Sequence, residues 1–376
     1  MSNLQTLEDI KGLRGRRVFL RGALNVPTEN GAITDDYRLQ KLLPTINWLR
    51  QHGARIILAG HMSGNTENTF APVFSYLREH FDLTFVTDYA NGSAQEAIDA
   101  MQDGEIIILE NLRQYEGEKA NDPEFARMLA GYADIYVNDA FSASHREHAS
   151  IVGLPTLLPA YAGRQFMEEY ETLSTVLDPE HPFVFILGGA KFSTKLPLVE
   201  KFSSVADQVF VGGALANAYL AAGGQSVGSS VVPEEEFNLS GGLASAALKL
   251  PTDVLVLSAD GATTIASADD VADDETIVDL GPETLEGIIA ACREAKLVVW
   301  NGPLGWYEKG YSEATDKLAA ALKKMAGKTI LGGGDTAAVI LDDTRPDDFS
   351  FVSTAGGAMI TFLSQETLPG IEALQR

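Results

Sequence analysis

Short apolar runs rich in Val, Ile, Leu and Phe recur along this chain, separated by amphipathic stretches about 10 to 17 residues long. Continuous rather than alternating apolarity marks strands buried on both faces, as parallel sheets require. The pattern predicts strands at Arg17–Arg21, Arg55–Ala59, Glu105–Leu109, Ile135–Asn138, Phe183–Leu187, Gln208–Val211, Val254–Leu257, Leu297–Trp300, Thr329–Leu331 and Phe349–Val352. About ten strands alternating with helices predict an α/β fold with two mostly parallel sheets, each covered by helices. Between the halves, Gly163 to Val176 reads as a helix, with Phe166, Met167, Tyr170, Leu173 and Leu177 at helical spacing and Asp178-Pro179 as its stop. It is the expected interdomain connector. Ala259–Asp274, acidic and rich in Ala and Ser, is expected to be an irregular surface excursion.

Composition narrows the class. A chain of 376 residues with 45% apolar content is long enough for two cores. Its formal charge of −24, from 52 acidic against 28 basic residues, argues against nucleic acid or an anionic membrane as the main partner. An excess of this size is also what a salt-rich cytoplasm would favour, because dissolved cations screen the self-repulsion. No apolar run reaches about 18 residues, and MSNLQTLEDIKGLRG lacks a secretory core, so a cytoplasmic location is expected. The single Cys292 allows neither an internal disulfide nor a multi-thiolate metal site.

The second half carries glycine-rich turns directly after apolar strands. Gly188-Gly189-Ala190-Lys191-Phe192-Ser193-Thr194-Lys195 follows FVFIL and precedes a helix. Glycines there let backbone N–H groups approach an anion, and the helix N-terminus adds a favourable dipole. Lys191 and Lys195 lie four apart, on one side of that helix, and suit a transferring phosphoryl group whose charge must be neutralised. Asn301-Gly302-Pro303-Leu304-Gly305 and Gly332-Gly333-Gly334-Asp335-Thr336 follow two further strands. In the last, Asp335 can cap a helix or hold Mg²⁺ against bound phosphates. Turns that share the carboxyl edge of a parallel sheet form a natural ligand crevice. Gly224-Gln225-Ser226-Val227-Gly228 matches a nucleophile elbow but follows a helix, and Gly327-Lys328-Thr329 lacks the first glycine of a P-loop.

The first half places basic residues at or just after strand ends. Arg21, His61, Arg113 and Arg146 fall on the same predicted sheet edge, and Arg38 lies on the first helix. Single arginines are usually solvated; a set converging on one edge suggests a site for a small polyanion.

RGALNVP, ITDDYR, LPTI, LENLR, VNDAFSASHR, ILGGAKFSTK, VVWNGPLG, GGGDTAA and VSTAGGA occur in the order and approximate spacing of phosphoglycerate kinases, and the chain resembles that family over nearly its whole length. The resemblance implies two Rossmann-like lobes joined by a hinge helix. Residues 1–162 would be the phosphoglycerate lobe, 163–178 the interdomain helix, 179–355 the nucleotide lobe, and 356–376 a segment returning to the first lobe. By position, Arg21, Asn25, Arg38, His61, Arg113 and Arg146 look like phosphoglycerate contacts, and Arg38, Lys191 and Lys195 like the catalytic set. Lys195, Gly212, Gly213, Asn301, Glu308, Gly333, Gly334, Asp335 and Thr336 look like nucleotide contacts, with Glu308 on the ribose hydroxyls and Asp335 on Mg²⁺. The implied reaction is reversible, direct in-line transfer between 1,3-bisphosphoglycerate with ADP and 3-phosphoglycerate with ATP after lobe closure. The partners would be small molecules, and the enzyme a monomer.

Three positions depart from the family pattern: Ala23 stands where an aspartate is usual, Gly64 where an arginine is usual, and Ala355 opens a glycine triplet. Two of them fall on the acid-substrate side. They leave an alternative open: a divergent paralogue acting on another acyl phosphate, or a nucleotide-binding regulatory module.

Overall fold

The computed structural model describes residues 4–62, 69–89, 93–234, 239–332 and 345–375. Their contacts separate into two compact units. One holds the residues up to Thr172 together with those from Thr367 onward; the other is Leu173–Glu366.

The sheet of the first unit has six parallel strands in the order Leu83–Val86, Ile106–Leu109, Arg55–Ala59, Arg17–Gly22, Ile135–Asp139 and Ala160–Ala162. Val18, Leu20, Ile56, Leu58, Ile106, Ile108, Ile135 and Val137 pack on one face with Leu39, Leu42, Ile46 and Leu49 of the helix Tyr37–Gln51. Phe19, Ile57, Ile107 and Tyr136 are buried on the other. This two-sided burial is why the strands read as unbroken apolar runs. The first strand pairs with Arg55–Ala59 on one side and Ile135–Asp139 on the other. The connections therefore diverge above its carboxyl end, beside Arg21, and leave a crevice there.

The second unit repeats the logic with the order Leu248–Lys249, Gln208–Val211, Phe183–Leu187, Leu297–Asn301, Lys328–Gly332 and Phe351–Val352, all parallel. Here the crevice lies above Phe183–Leu187, where the glycine turns begin. Phe185 stacks on Phe202 of the helix Phe192–Phe202 with ring centroids 4.2 Å apart, fixing that helix against the sheet.

Two expectations need correction. Val254–Leu257 is not part of the parallel sheet; it belongs to Asp253–Leu257, the centre of a separate antiparallel sheet between Thr263–Ser267 and Thr276–Leu280. Ala259–Asp274 is accordingly not irregular throughout, since Thr263–Ser267 lies within it. That strand is held by backbone pairing and is largely exposed, so no apolar pattern betrays it. The short strands Leu83–Val86, Ala160–Ala162 and Leu248–Lys249 escape sequence reading for a related reason. All three lie at sheet edges.

The helix Arg164–Ser174 falls inside the stretch expected to be helical. Its start is tied to the first sheet by Asp139, whose Oδ1 accepts from Phe166 N at 3.0 Å, and a side chain at Gly163 would collide with that carboxylate. In the first unit, the C-terminal helix Pro369–Leu374 packs on the turn Ala149–Gly153, and Gly370 N donates to Ser144 O at 2.9 Å.

Candidate active site

At the carboxyl edge of the first sheet the basic residues gather around one carboxylate. Arg21 ends its strand with no exposed surface and donates from Nε to Ser150 Oγ (2.9 Å), from Nη1 to Gly22 O (2.7 Å) and from Nη2 to His61 Nδ1 (2.7 Å). Glu118, also fully buried, accepts from Ser150 N (3.0 Å) and Ser150 Oγ (2.6 Å) and lies 3.7 Å from His148 Nδ1. Arg113 is half-buried, and its Nε and Nη2 find no hydrogen-bond partner among the described residues. Arg146 is exposed and lies against His145 (3.2 Å).

So many cations together lower one another's affinity for protons. Burial, then Arg146 and Arg21, pulls Arg113 down to about 10. Burial chiefly, with Arg146 beside one ring and Arg113 beside the other, pulls His145 and His148 down to about 4. His61 is held well below its ordinary value by burial and then by Arg21. These groups form a positive pocket with donors in excess of acceptors, the complement of a small polyanion. Arg38 forms a second pairing, its Nη1 donating to Asn25 O at 2.6 Å.

Arg21 is fully buried in this structure and stands behind His61, to whose Nδ1 its Nη2 donates. Sequence reading passed over Glu118, Ser150, His145 and His148, although two histidines flanking Arg146 in SHREH offered a signal. Ala23 packs with Ala140, Ala143 and Ile151, so an ionised carboxylate at that position would stand against an apolar cluster. Gly64 lies outside the described residues.

In the second unit the glycine turns interlock. Gly188 N donates to Asn301 O (2.9 Å), Gly213 N to Leu304 O (2.7 Å) and Leu215 N to Gly189 O (3.1 Å). A side chain at Gly188 would collide with the Pro303 carbonyl, and Gly213 has φ of 57° with the Gly189 nitrogen 2.9 Å from where a Cβ would stand. Only glycine lets these turns nest so closely. Asn301 is buried and its Nδ2 donates to Gly332 O at 3.1 Å, binding the next turn to the set. Lys195 is buried on the first turns of its helix, and its Nζ donates to Gly188 O; Lys191 stands exposed at that helix's start.

Beside these turns opens a cavity of about 180 Å³. Gly189, Gly213 and Pro303 form one wall, and Val254, Ile277 and Val278 of the antiparallel sheet form another. Trp306 and the exposed Glu308 also border it. Asp279, buried in its lining, is pushed up to about 6 mainly by desolvation and caps the helix Glu313–Leu322 through Ala314 N at 3.0 Å. A largely apolar slot adjoining glycine turns, a helix start and a buried ammonium suits a molecule with an aromatic base at one end and phosphates at the other. The slot's antiparallel wall was not foreseen, because it is assembled from strands the apolar pattern placed elsewhere or missed. Gly333, Gly334, Asp335 and Thr336 lie outside the described residues, just beyond the strand end at Gly332.

A family model for phosphoglycerate kinase matches residues 7–366. This chain belongs to the phosphoglycerate kinase family. A phosphoglycerate kinase of Chelativorans sp. (strain BNC1) is 39% identical over 398 residues, covering 100% of both chains. One from Zymomonas mobilis is 40% identical over 394 residues, covering 99% of each. Among solved structures, phosphoglycerate kinase from Coxiella burnetii superposes with a TM-score of 0.84 at 35% identity, covering 99% of this chain and 98% of that one. The enzyme from Pyrococcus horikoshii gives 0.86 at 28%, with the same coverage. As a member of this family the chain is a kinase that exchanges a phosphoryl group between 1,3-bisphosphoglycerate with ADP and 3-phosphoglycerate with ATP. Nothing favours the divergent-paralogue alternative.

The retained motif surrounding Ala355 makes physical sense. The left-handed φ of 56° in this segment falls on Gly356, while Ala355 is buried without needing such a conformation. The methyl group is therefore tolerated by the backbone here.

Proposed function

We propose that the acid substrate binds in the cationic pocket of the first unit and the nucleotide in the slot of the second. The observation that carries the first half is Arg113, with two buried N–H groups facing no acceptor among the described residues in a pocket otherwise crowded with donors. An anion supplies what they lack. Arg38, Asn25, His61 and Arg146 complete the site, with Arg21 behind His61. For the nucleotide, Gly212, Gly213 and Asn301 shape the turns, Glu308 accepts from the ribose hydroxyls, and Lys195 reaches the phosphates.

Phosphoryl transfer then needs positioning and charge neutralisation more than covalent chemistry. In the direction of ATP use, a carboxylate oxygen of 3-phosphoglycerate attacks the γ-phosphorus while its bond to the β-phosphate bridging oxygen breaks. The products are 1,3-bisphosphoglycerate and ADP, with no enzyme-bound intermediate. Lys191, Lys195 and Arg38 neutralise the charge on the migrating group. Mg²⁺ enters with the nucleotide, and Asp335 with Gly333, Gly334 and Thr336 is the proposed cradle. Among the described residues no cluster of three or more acidic, His or Cys side chains could hold a metal. By family analogy we assign the enzyme to the cytoplasm as a monomer. Among the described residues no helix is long and apolar enough to cross a membrane.

Arg113→Ala tests the assignment. The KM for 3-phosphoglycerate should rise about 10- to 100-fold with the KM for Mg-ATP unchanged, as loss of a charge-assisted contact implies. An unchanged KM for the acid would refute the pocket.

A further inference from the structure

The cationic pocket contains a chain of hydrogen bonds whose direction its end members dictate. Glu118 can only accept, and it takes both the N–H (3.0 Å) and the O–H (2.6 Å) of Ser150. With its one proton committed to Glu118, Ser150 Oγ must accept from Arg21 Nε (2.9 Å). Arg21 can only donate, so its Nη2 at 2.7 Å obliges His61 Nδ1 to be an acceptor. The ring proton of His61 is thereby left on Nε2.

We propose that Glu118 and Ser150 are positioning residues for the acid-substrate site. They orient the buried Arg21, which in turn holds His61 as a neutral ring protonated on Nε2, a fixed donor for the bound anion. This rests on the assignment of the pocket to the acid substrate. Each member has a reason to be where it is. Ser150 is clamped further by Tyr136, whose hydroxyl donates to Ser150 O at 2.7 Å, so its Oγ cannot drift from Arg21. Arg21, Ser150 and Glu118 have no exposed surface, so bulk water cannot replace a missing link cheaply. Glu118 also offsets a pocket that holds Arg21, Arg113 and Arg146 within interacting range. The helix Pro369–Leu374 packs behind the turn carrying Ser150.

The test joins spectroscopy to kinetics on the full-length enzyme. In ¹⁵N-histidine-labelled protein at pH 7, His61 should show a pyridine-type Nδ1 and a pyrrole-type Nε2. Ser150→Ala and Glu118→Gln should each broaden or shift that signature. They should also raise the KM for 3-phosphoglycerate about tenfold, with the KM for Mg-ATP unmoved. Ser150→Thr, which restores the hydroxyl, should recover both readouts. A wild-type ring protonated on Nδ1, or doubly protonated, would overturn the proposal. So would variants that leave the His61 spectrum and the acid KM untouched. The tautomer is read without turnover, so it remains decisive if the pocket proves to bind a different anion. The Ser150→Ala arm covers the case in which Glu118→Gln does not fold.

Discussion

Lys195 is the cation set most firmly among the glycine turns proposed to hold the nucleotide's phosphates. Its ammonium is buried and already bonded to the Gly188 carbonyl, so it is held in place before any ligand arrives. A preset cation that need not reorganise is where electrostatic catalysis gains most. Lys195→Met should lower kcat by about 100- to 1,000-fold in steady-state assay, while the circular dichroism spectrum stays that of the wild type. A loss below tenfold would show that the charge is not used in the transition state. A second consequence lies in the histidines. His145 and His148, held near 4, and His61, well below its usual value, stay neutral in the folded protein as pH falls below 6.5, whereas in the unfolded chain they take up protons. The stability they contribute is complete above about pH 6.5 and is lost as pH falls toward 4. Asp139 and Asp279, raised to about 6 by burial, act in the opposite sense, because between pH 6 and 4 the folded state binds their protons first. With three rings against two carboxyls, the urea midpoint should be lower at pH 5 than at pH 7. Replacing His145 and His148 together by Asn should shrink that difference, and an undiminished difference would refute the cause given.

The strand-to-helix turns show how element geometry limits what the sequence can contain. Gly213 opens the helix Gly213–Ala222 in a left-handed conformation and within touching distance of the neighbouring turn at Gly189. Gly213→Ala would meet both a backbone penalty of about 1–2 kcal/mol and a steric one. The expected result is at least a tenfold weaker affinity for Mg-ADP by calorimetry, accompanied by a lower Tm. Unaltered affinity would mean that the turn does not line the phosphate path. Such turns were legible in the sequence because glycine after an apolar run has few other uses. The antiparallel sheet of Asp253–Leu257, Thr263–Ser267 and Thr276–Leu280 was not, since its strand Thr263–Ser267 is largely exposed and backbone hydrogen bonds carry no side-chain signature. It nevertheless supplies Val254, Ile277 and Val278 to the slot.

Across the whole molecule the excess of 24 negative charges is carried by a fold whose ion pairs are mostly exposed at the surface, such as Arg14 with Asp103 and Lys317 with Glu313. Exposed pairs stabilise little, whereas unscreened self-repulsion grows with net charge. Raising KCl from 10 mM-scale to molar concentrations should therefore raise the Tm at pH 7, because the screening length shrinks from about 30 to about 3 Å. A Tm independent of KCl would remove any reason to connect the acidity with salt. By itself the sequence determined the layered α/β class, the glycine turns and a helix within 163–176, since burial on two faces and tight turns leave periodic marks along the chain, and it singled out the basic residues proposed here for the acid-substrate site. Only the tertiary structure decided that Arg21 is bonded to both His61 and Ser150, that Ser150 is bonded to Glu118, and that an antiparallel sheet walls the slot. Those relations join residues as far apart as 129 positions, and a hydrogen bond between distant side chains leaves no local pattern to read.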